Sequence, residues 1–504
     1  MQTCLYQSEK PASEEEKRIL RRKQRELRKQ LSLCAYGEKN AASYVREVIR
    51  DILSVRYELS DDFLEAVIPF SDPCALSGRD CFLILLMQYQ KKYEKLAFSY
   101  MAADGKLMDQ PRITEQVIHE LYDKKAEKMD IYEKTEVLVQ RIFEDYKGMG
   151  PIDRLQGMEL DGISAGLSGQ DDYGVFLFYK GKSIAVPCLT FAGKKDFLRV
   201  CRNIGRYEYP GQLSEKRGYL VNHLPDGSRV TVARPPFSES WVFFIRQFER
   251  RFHEELEDLI TDRGREWPIQ LVKWLVKGCQ VTGVTGAQGA GKTTLLTAMI
   301  KEIPASYHLR VHETAFELQL RRKFPDRNIM SVQETEMIPG QEGLDFLKKT
   351  DGDVTIIGEV ASAQVSNYLV QTAQMASIFT LFTHHARTTK ALVGALRNAL
   401  LQTGIFQNEM AALEQVIDVI RFDIHLARDA SGHRYVERIS EIIPKEGGYR
   451  IQNLVEYQEG EYKVTAVPSQ SVSEEIRMHL SREEKVQYEE DLYQMTLRIK
   501  KKME

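Results

Sequence analysis

Gly286-Ala287-Gln288-Gly289-Ala290-Gly291-Lys292-Thr293 sets three glycines, a lysine and a hydroxyl in the spacing G-x-x-x-x-G-K-[ST]. That pattern suits a phosphate. The glycines let the backbone wrap with its N–H groups turned inward, and the helix that follows adds a partial positive charge. Lys292 brings a full charge to the β- and γ-phosphates of a nucleotide, and the Thr293 hydroxyl is a ligand for Mg²⁺. Gly286, Ala287, Gln288, Gly289, Ala290, Gly291, Lys292, Thr293 and Thr294 are therefore the predicted nucleotide contacts, with ATP and Mg²⁺ bound. A second segment, Asp353-Val354-Thr355-Ile356-Ile357-Gly358-Glu359, is an apolar run that ends in an acid. Many phosphate-loop proteins end such a strand with Asp; here Gly358 stands first and Glu359 follows. A carboxylate at this place can orient the attacking water or hold Mg²⁺ through water. Taken alone, Glu359 is equally well a charge at a strand end, Glu313 a generic acid, and His384 and His385 ordinary polar residues.

These groups need elements to carry them. Cys279–Thr285 reads as a strand and Thr294–Ile300 as a helix, so the loop joins a strand to a helix. Just upstream, "REWPIQLVKWLVKG" reads as a helix with Pro268 in its first turn, where the missing N–H costs nothing. From there strands and helices alternate, which favours an α/β fold with a mostly parallel sheet covered by helices. The carboxyl ends of such strands face the ligand crevice. Residues 41–147 are helical in period, as in Tyr44/Val48/Ile49/Ile52 and Val137/Leu138/Ile142/Phe143. "GMGPID" (Gly148–Asp153) breaks that pattern. Short strands follow: Gly174–Val186, Leu224–Phe237 with Asp226-Gly227 at a hairpin-like turn, and Trp241–Phe248. Ser13–Leu31 opens as a capping box with Glu16 and sets Leu20, Leu27 and Leu31 on one narrow face of a basic helix. The "SEEIRMHL…KKKME" end reads as a charged amphipathic helix. The predicted divisions are a basic helical extension (1–40), a helical domain (41–147), a small α+β domain (148–262) and an α/β core (263–504).

Bulk composition narrows the partners. The chain has 504 residues with a net charge of −3, 43% hydrophobic and 28% charged residues. Nothing there argues for nucleic acid or an anionic membrane surface. The longest apolar run, Cys81–Met87, is far short of the roughly 20 residues that span a bilayer. The opening residues carry no secretory apolar core, and the seven scattered cysteines fit a reducing cytoplasm without a structural zinc.

Several stretches between Gly148 and Glu456 together resemble the CpaF family, the ATPases of tight-adherence pili within the type II/IV secretion ATPase superfamily. "GMGPIDRL" is similar to that family's "GxGPLxxLL". "LPDGSRVTVARPPF" followed by "FIRQF" is similar to "LPDGSRVxxxxPP" followed by "IRKF". "VHETAFELQL" (Val311–Leu320) resembles the acidic box "IEDTxELQL", "QTAQMASIFTLFTHHAR" (Gln371–Arg387) the histidine box, and "HRYVERISEI" (His433–Ile442) the C-terminal strand pair. The resemblance implies a RecA-like core, and it turns Gly358 into the expected residue, with Glu359 the catalytic acid. It also implies catalytic roles for Glu313 and His385, with Glu317 closing the acidic box. Arg229 and Arg246 would approach the phosphates from the preceding domain. The chain departs from the family at Thr314, Ala361, Ser377 and Arg387.

The function so implied is a cytoplasmic ATPase motor, a homohexamer seated at the inner face of the cell membrane through a membrane-embedded pilus or secretion platform. Two other readings stay open: a RecA-like motor on nucleic acid, for which no basic stripe with interleaved aromatics is visible, and a nucleotide-gated scaffold with little turnover, which the four departures would favour.

Overall fold

The computed structural model of the chain describes residues 14–109, 112–168, 173–207, 213–247, 255–334, 338, 340–375, 377–429 and 432–503. Ser13, Phe248 and Ala376 lie outside them. The chain forms two compact units, Met1–Glu249 and Arg250–Glu504.

The first unit opens with α-helices Glu14–Leu33, Lys39–Arg56, Asp61–Val67, Gly78–Tyr93, Ala97–Asp104, Glu115–Lys125 and Ile131–Tyr146. Five of them start where a side-chain oxygen takes up an otherwise unsatisfied backbone N–H: Glu38, Ser60, Ser77, Thr114 and Asp130, the last in a reciprocal capping box with Glu133. In the basic helix Glu14–Leu33, Leu27 and Leu31 are buried while the charged residues around them face solvent. After Gly150–Leu155 come strands β1 (Gly162–Ala165), β2 (Gly174–Tyr179), β3 (Lys182–Thr190), β4 (Tyr219–His223), β5 (Arg229–Ala233) and β6 (Val242–Arg246). They pair antiparallel in the order β3-β2-β1-β6-β5-β4. Val230, Val232, Phe243 and Ile245 point into the core, so period two puts Arg229, Thr231, Phe244 and Arg246 on the opposite face. One hydrophobic cluster runs from Leu27 to Ile245, so the helices and this sheet share a single core.

The second unit is built on nine strands: β7 (Thr282–Gly286), β8 (Leu309–Glu313), β9 (Ile329–Gln333), β10 (Val354–Ile357), β11 (Phe379–His384), β12 (Phe422–Arg428), β13 (Arg434–Lys445), β14 (Gly448–Gln458) and β15 (Glu461–Val464). Their order is β15-β14-β13-β12-β7-β11-β10-β8-β9. From β12 to β9 every pair is parallel, and β12 to β15 pair antiparallel. The fold class is α/β, with a mostly parallel sheet extended by three antiparallel strands. β7 and β10 are buried along their whole length, as a sheet covered on both faces requires. β7 starts at Thr282 rather than at Cys279, because the helix Glu266–Lys277 ends at Gly278 and Cys279 turns through a left-handed conformation, φ 56°. The charged C-terminal segment forms helices Gln470–His479 and Arg482–Met503. The second docks through buried Tyr488, edge-on to Trp274, whose Nε1–H donates to Asp491 at 2.8 Å. Because the central strands run parallel, their carboxyl ends share one edge, and the residues singled out by type and spacing gather there.

Candidate nucleotide site

The loop leaves β7 at Gly286 with φ 141°, and a Cβ there would stand 2.4 Å from the Leu426 carbonyl oxygen, so no other residue fits. Gly289 and Gly291 also have positive φ, 76° and 97°. Gly291 then caps the helix Lys292–Lys301, whose first N–H groups and dipole face the loop. Thr293 and Thr294 are half-exposed on its first turn.

Lys292 is 8% exposed. Its ammonium donates to the carbonyls of Gly286 and Ala287, both at 3.0 Å, and stands 3.2 Å from His385 Nδ1. An ammonium only donates, so Nδ1 must accept and the ring proton belongs on Nε2. Nε2 in turn lies 3.2 Å from Glu359 Oε1. Lys292, His385 and Glu359 thus form one run of polar contacts across the ends of β7, β11 and β10, a hydrogen bond from Lys292 to His385 and an ion-pair contact from His385 to Glu359. The neighbouring His384 faces elsewhere: burial lowers its ring to about 4, with the nearby His385 and Lys292 adding to the shift, and its Nδ1 has no partner among the described residues.

The same geometry accounts for the glycine that stands where an aspartate is usual. A Cβ on Gly358 would come 2.9 Å from Glu313 Cγ. Gly358 donates its N–H to the His312 carbonyl at 2.8 Å, and its carbonyl accepts from the Thr383 hydroxyl at 2.5 Å, so the backbone cannot retreat. Glu313, at the end of β8, is 3% exposed and accepts from the Leu318 N–H at 2.8 Å. Burial pushes its carboxyl up to about 8, with the charge of Glu317 adding to the shift. The empty side of Gly358 is therefore the room Glu313 occupies.

Two groups at this edge carry no motif. Glu334 follows β9, donates its N–H to the Glu313 carbonyl at 3.0 Å and stands 3.7 Å from the buried His312. Burial raises its carboxyl, and the charge of Glu359 raises it further. Its signal in the sequence is the same as that of Glu359: a strand, "IMSVQ", that runs into an acid. Beneath the loop lies a buried polar knot. Asp423, 0% exposed in β12, accepts from Thr285 Oγ1 at 2.6 Å and from Thr389 Oγ1 at 2.7 Å. Thr285 Oγ1 also lies 2.8 Å from His425 Nδ1. This knot ties the residue before Gly286 to the helix Thr389–Gln402, which begins four residues after His385. An acid inside the apolar run "FDIHLA" was its sign.

Arg229 and Arg246 sit in the first unit, directly opposite one another on β5 and β6 and on the exposed face of that sheet. Among the described residues no group of three or more His, Cys, Asp and Glu side chains could hold a metal ion. Mg²⁺ bound with a nucleotide needs little more than a hydroxyl and a carboxylate from the protein, since phosphates and water supply the remaining ligands. Thr293 and Glu359 fit that demand.

Residues 229–429 match the family model described as "Type II/IV secretion system protein". Among characterised proteins, the chain is similar to "Competence protein ComGA" of Halalkalibacterium halodurans, 24% identical over 177 residues, 35% of this chain and 49% of that protein. It therefore spans about half the length of that relative. Among solved structures it is similar to the VirB11 ATPase of the Brucella suis type IV secretion system (18% identity, 56% of this chain and 89% of that one, TM-score 0.32). The Legionella pneumophila ATPase DotB matches at 13% identity over 57% of this chain and 78% of that one, with a TM-score of 0.42. The pilus retraction motor PilT with bound ADP matches at 16% identity over 67% and 86%, with a TM-score of 0.41. Residues 229–429, the stretch that matches the "Type II/IV secretion system protein" model, hold the phosphate loop, Glu313, Glu359 and His385.

Proposed function

We propose that this chain binds and hydrolyses ATP and uses the cycle to drive pilus assembly or protein secretion, in the manner of the tight-adherence motors. The observation that carries the reading is the run Lys292–His385–Glu359, with Glu313 packed against Gly358 beside it. Lys292, held at the mouth of the loop, meets the β- and γ-phosphates. Glu359 takes the proton of the attacking water, and His385, whose Nε2 stands 3.2 Å from Glu359 Oε1, holds that carboxylate in place by contact. Mg²⁺, held by Thr293 and through water by Glu359, would neutralise charge on the β- and γ-oxygens. Lys292 releases the two loop carbonyls as phosphate takes their place, which gives the loop two states, one for each side of the cycle.

Arg229 and Arg246 face one another across β5 and β6, and two guanidiniums together suit a role at developing phosphoryl charge. No helix among the described residues is long and apolar enough to cross a membrane, so docking at the inner face of the cell membrane would go through a platform protein. A homohexamer is the assembly proposed. Phosphate release by the intact chain tests the reading, with particle images of the nucleotide-bound protein beside it. Turnover lost in Lys292→Ala and a six-membered ring support a motor. Turnover stimulated by DNA or RNA would replace it with a nucleic-acid motor, and no turnover above Lys292→Ala with a similar ring would leave a scaffold.

A further inference from the structure

The hairpin that joins β12 to β13 brings two arginines to the phosphate loop from within the same unit. Arg428, the last residue of β12, and Arg434, the first of β13, are directly paired across the strands. A Cβ on Gly289 would lie 3.8 Å from Arg428 Nη1, and one on Gly291 3.6 Å from Arg434 Cδ. Both side chains are exposed, and neither has an ion-pair or hydrogen-bond partner among the described residues. The nearby acids are engaged elsewhere: Asp429 Oδ1 accepts from the His433 N–H, and Glu437 is held by Arg438. Two cations directly opposite one another on a strand pair repel, and the arrangement gains only when an anion joins them. Two guanidiniums at the rim of a loop of inward N–H groups match the planar, many-oxygened charge of a phosphate chain.

Sheet order says which phosphates. The loop rises from β7, at the middle of β13-β12-β7-β11-β10. His385 and Glu359 follow β11 and β10, on one flank of the loop. Arg428 and Arg434 stand on the other flank, away from the bond that would be cut. We infer that Arg428 and Arg434 form a nucleotide-binding clamp on the α- and β-phosphates, the part common to ATP and ADP. This rests on the nucleotide reading of the loop. The pair then holds substrate and product alike and leaves the transferred phosphate to Lys292, His385 and Glu359.

The test is the affinity of the full chain for N-methylanthraniloyl-ADP and for the matching non-hydrolysable ATP analogue, each with Mg²⁺. It compares wild type, Arg428→Gln/Arg434→Gln, Arg428→Lys/Arg434→Lys and Lys292→Ala. Loss of charge-assisted bonds weakens binding by about tenfold to hundredfold, by the same factor for both nucleotides. The lysine pair keeps the charge without the fork and recovers part of the loss. Affinities within twofold of wild type in the glutamine pair, with Lys292→Ala impaired, would overturn the clamp and leave the site reading standing. A loss confined to the triphosphate would overturn the assignment to the α- and β-phosphates. Failure of wild type to bind either nucleotide would overturn both. The substituted side chains are exposed, so unchanged melting of the glutamine pair is expected and shows that the comparison is of folded proteins.

Discussion

Gly358→Ala should cost this protein both stability and turnover, for a reason that one further substitution can isolate. Alanine adds one carbon, which would lie 2.9 Å from Glu313 Cγ, where ordinary contacts begin near 3.4 Å. Glu313 must yield by about half an ångström, an overpacking strain worth ~1–3 kcal/mol. It cannot do so freely, because its carboxyl is buried and bonded to the Leu318 N–H at 2.8 Å. The backbone of residue 358 is pinned too, by the His312 carbonyl and the Thr383 hydroxyl. The measurement is a double-mutant cycle by thermal melting of Gly358→Ala, Glu313→Ala and the pair. For a unit of this size each kcal/mol moves the midpoint by about 2–4 °C. Glu313→Ala deletes Cγ, so Gly358→Ala should be nearly free in that background, with a coupling energy of ~1–3 kcal/mol. Phosphate release should fall in Gly358→Ala because the buried carboxyl beside Glu359 has moved. Equal cost of Gly358→Ala with and without Glu313 would refute the claim that this glycine exists to seat that acid.

Glu313 should also give stability a pH dependence. Burial raises its carboxyl from 4.5 to about 8, so between those values the folded chain holds a proton that the unfolded chain has released. Stability from this group therefore falls as pH rises through that window, by at most ~1.4 kcal/mol per pH unit. Glu313→Gln removes the dependence, so its stability relative to wild type should climb across that range in denaturant titrations; a constant difference would contradict the shift. Asp423→Asn replaces two acceptor oxygens by one and disturbs the bonds from Thr285 and Thr389. Leaving one buried partner unsatisfied costs ~1–3 kcal/mol, and nucleotide affinity should weaken with it because Thr285 precedes the loop. Unchanged affinity would reduce the knot to plain packing.

What the sequence disclosed and what it hid divide along chain distance. The phosphate loop is legible because its glycines, Lys292 and Thr293 lie within eight residues, and a local pattern suffices. Glu359 and Glu313 are visible as acids at the ends of apolar runs, yet nothing local shows that one needs the glycine before the other. That contact depends on β10 lying beside β8. Asp423, Arg428 and Arg434 were hidden for the same reason: they reach the loop only because β12, which begins 140 residues after β7, pairs directly with it. His384 and His385 are indistinguishable by type, and the strand end decides between them, aiming one inward and the other at Lys292 and Glu359. In the first unit, helical period and strand alternation were each readable, but periodicity does not reveal that both bury their apolar faces in one cluster.

The most direct test of the proposed chemistry is single-turnover phosphate release by Glu359→Gln beside wild type, with ATP affinity measured on the same samples. Glutamine keeps the size of the side chain and can still meet His385, but it cannot take a proton from water. Affinity within about threefold of wild type and release slower by about a hundredfold or more is the expected result. Release at the wild-type rate would contradict Glu359 as the group that activates water, and with it the hydrolytic reading of this site.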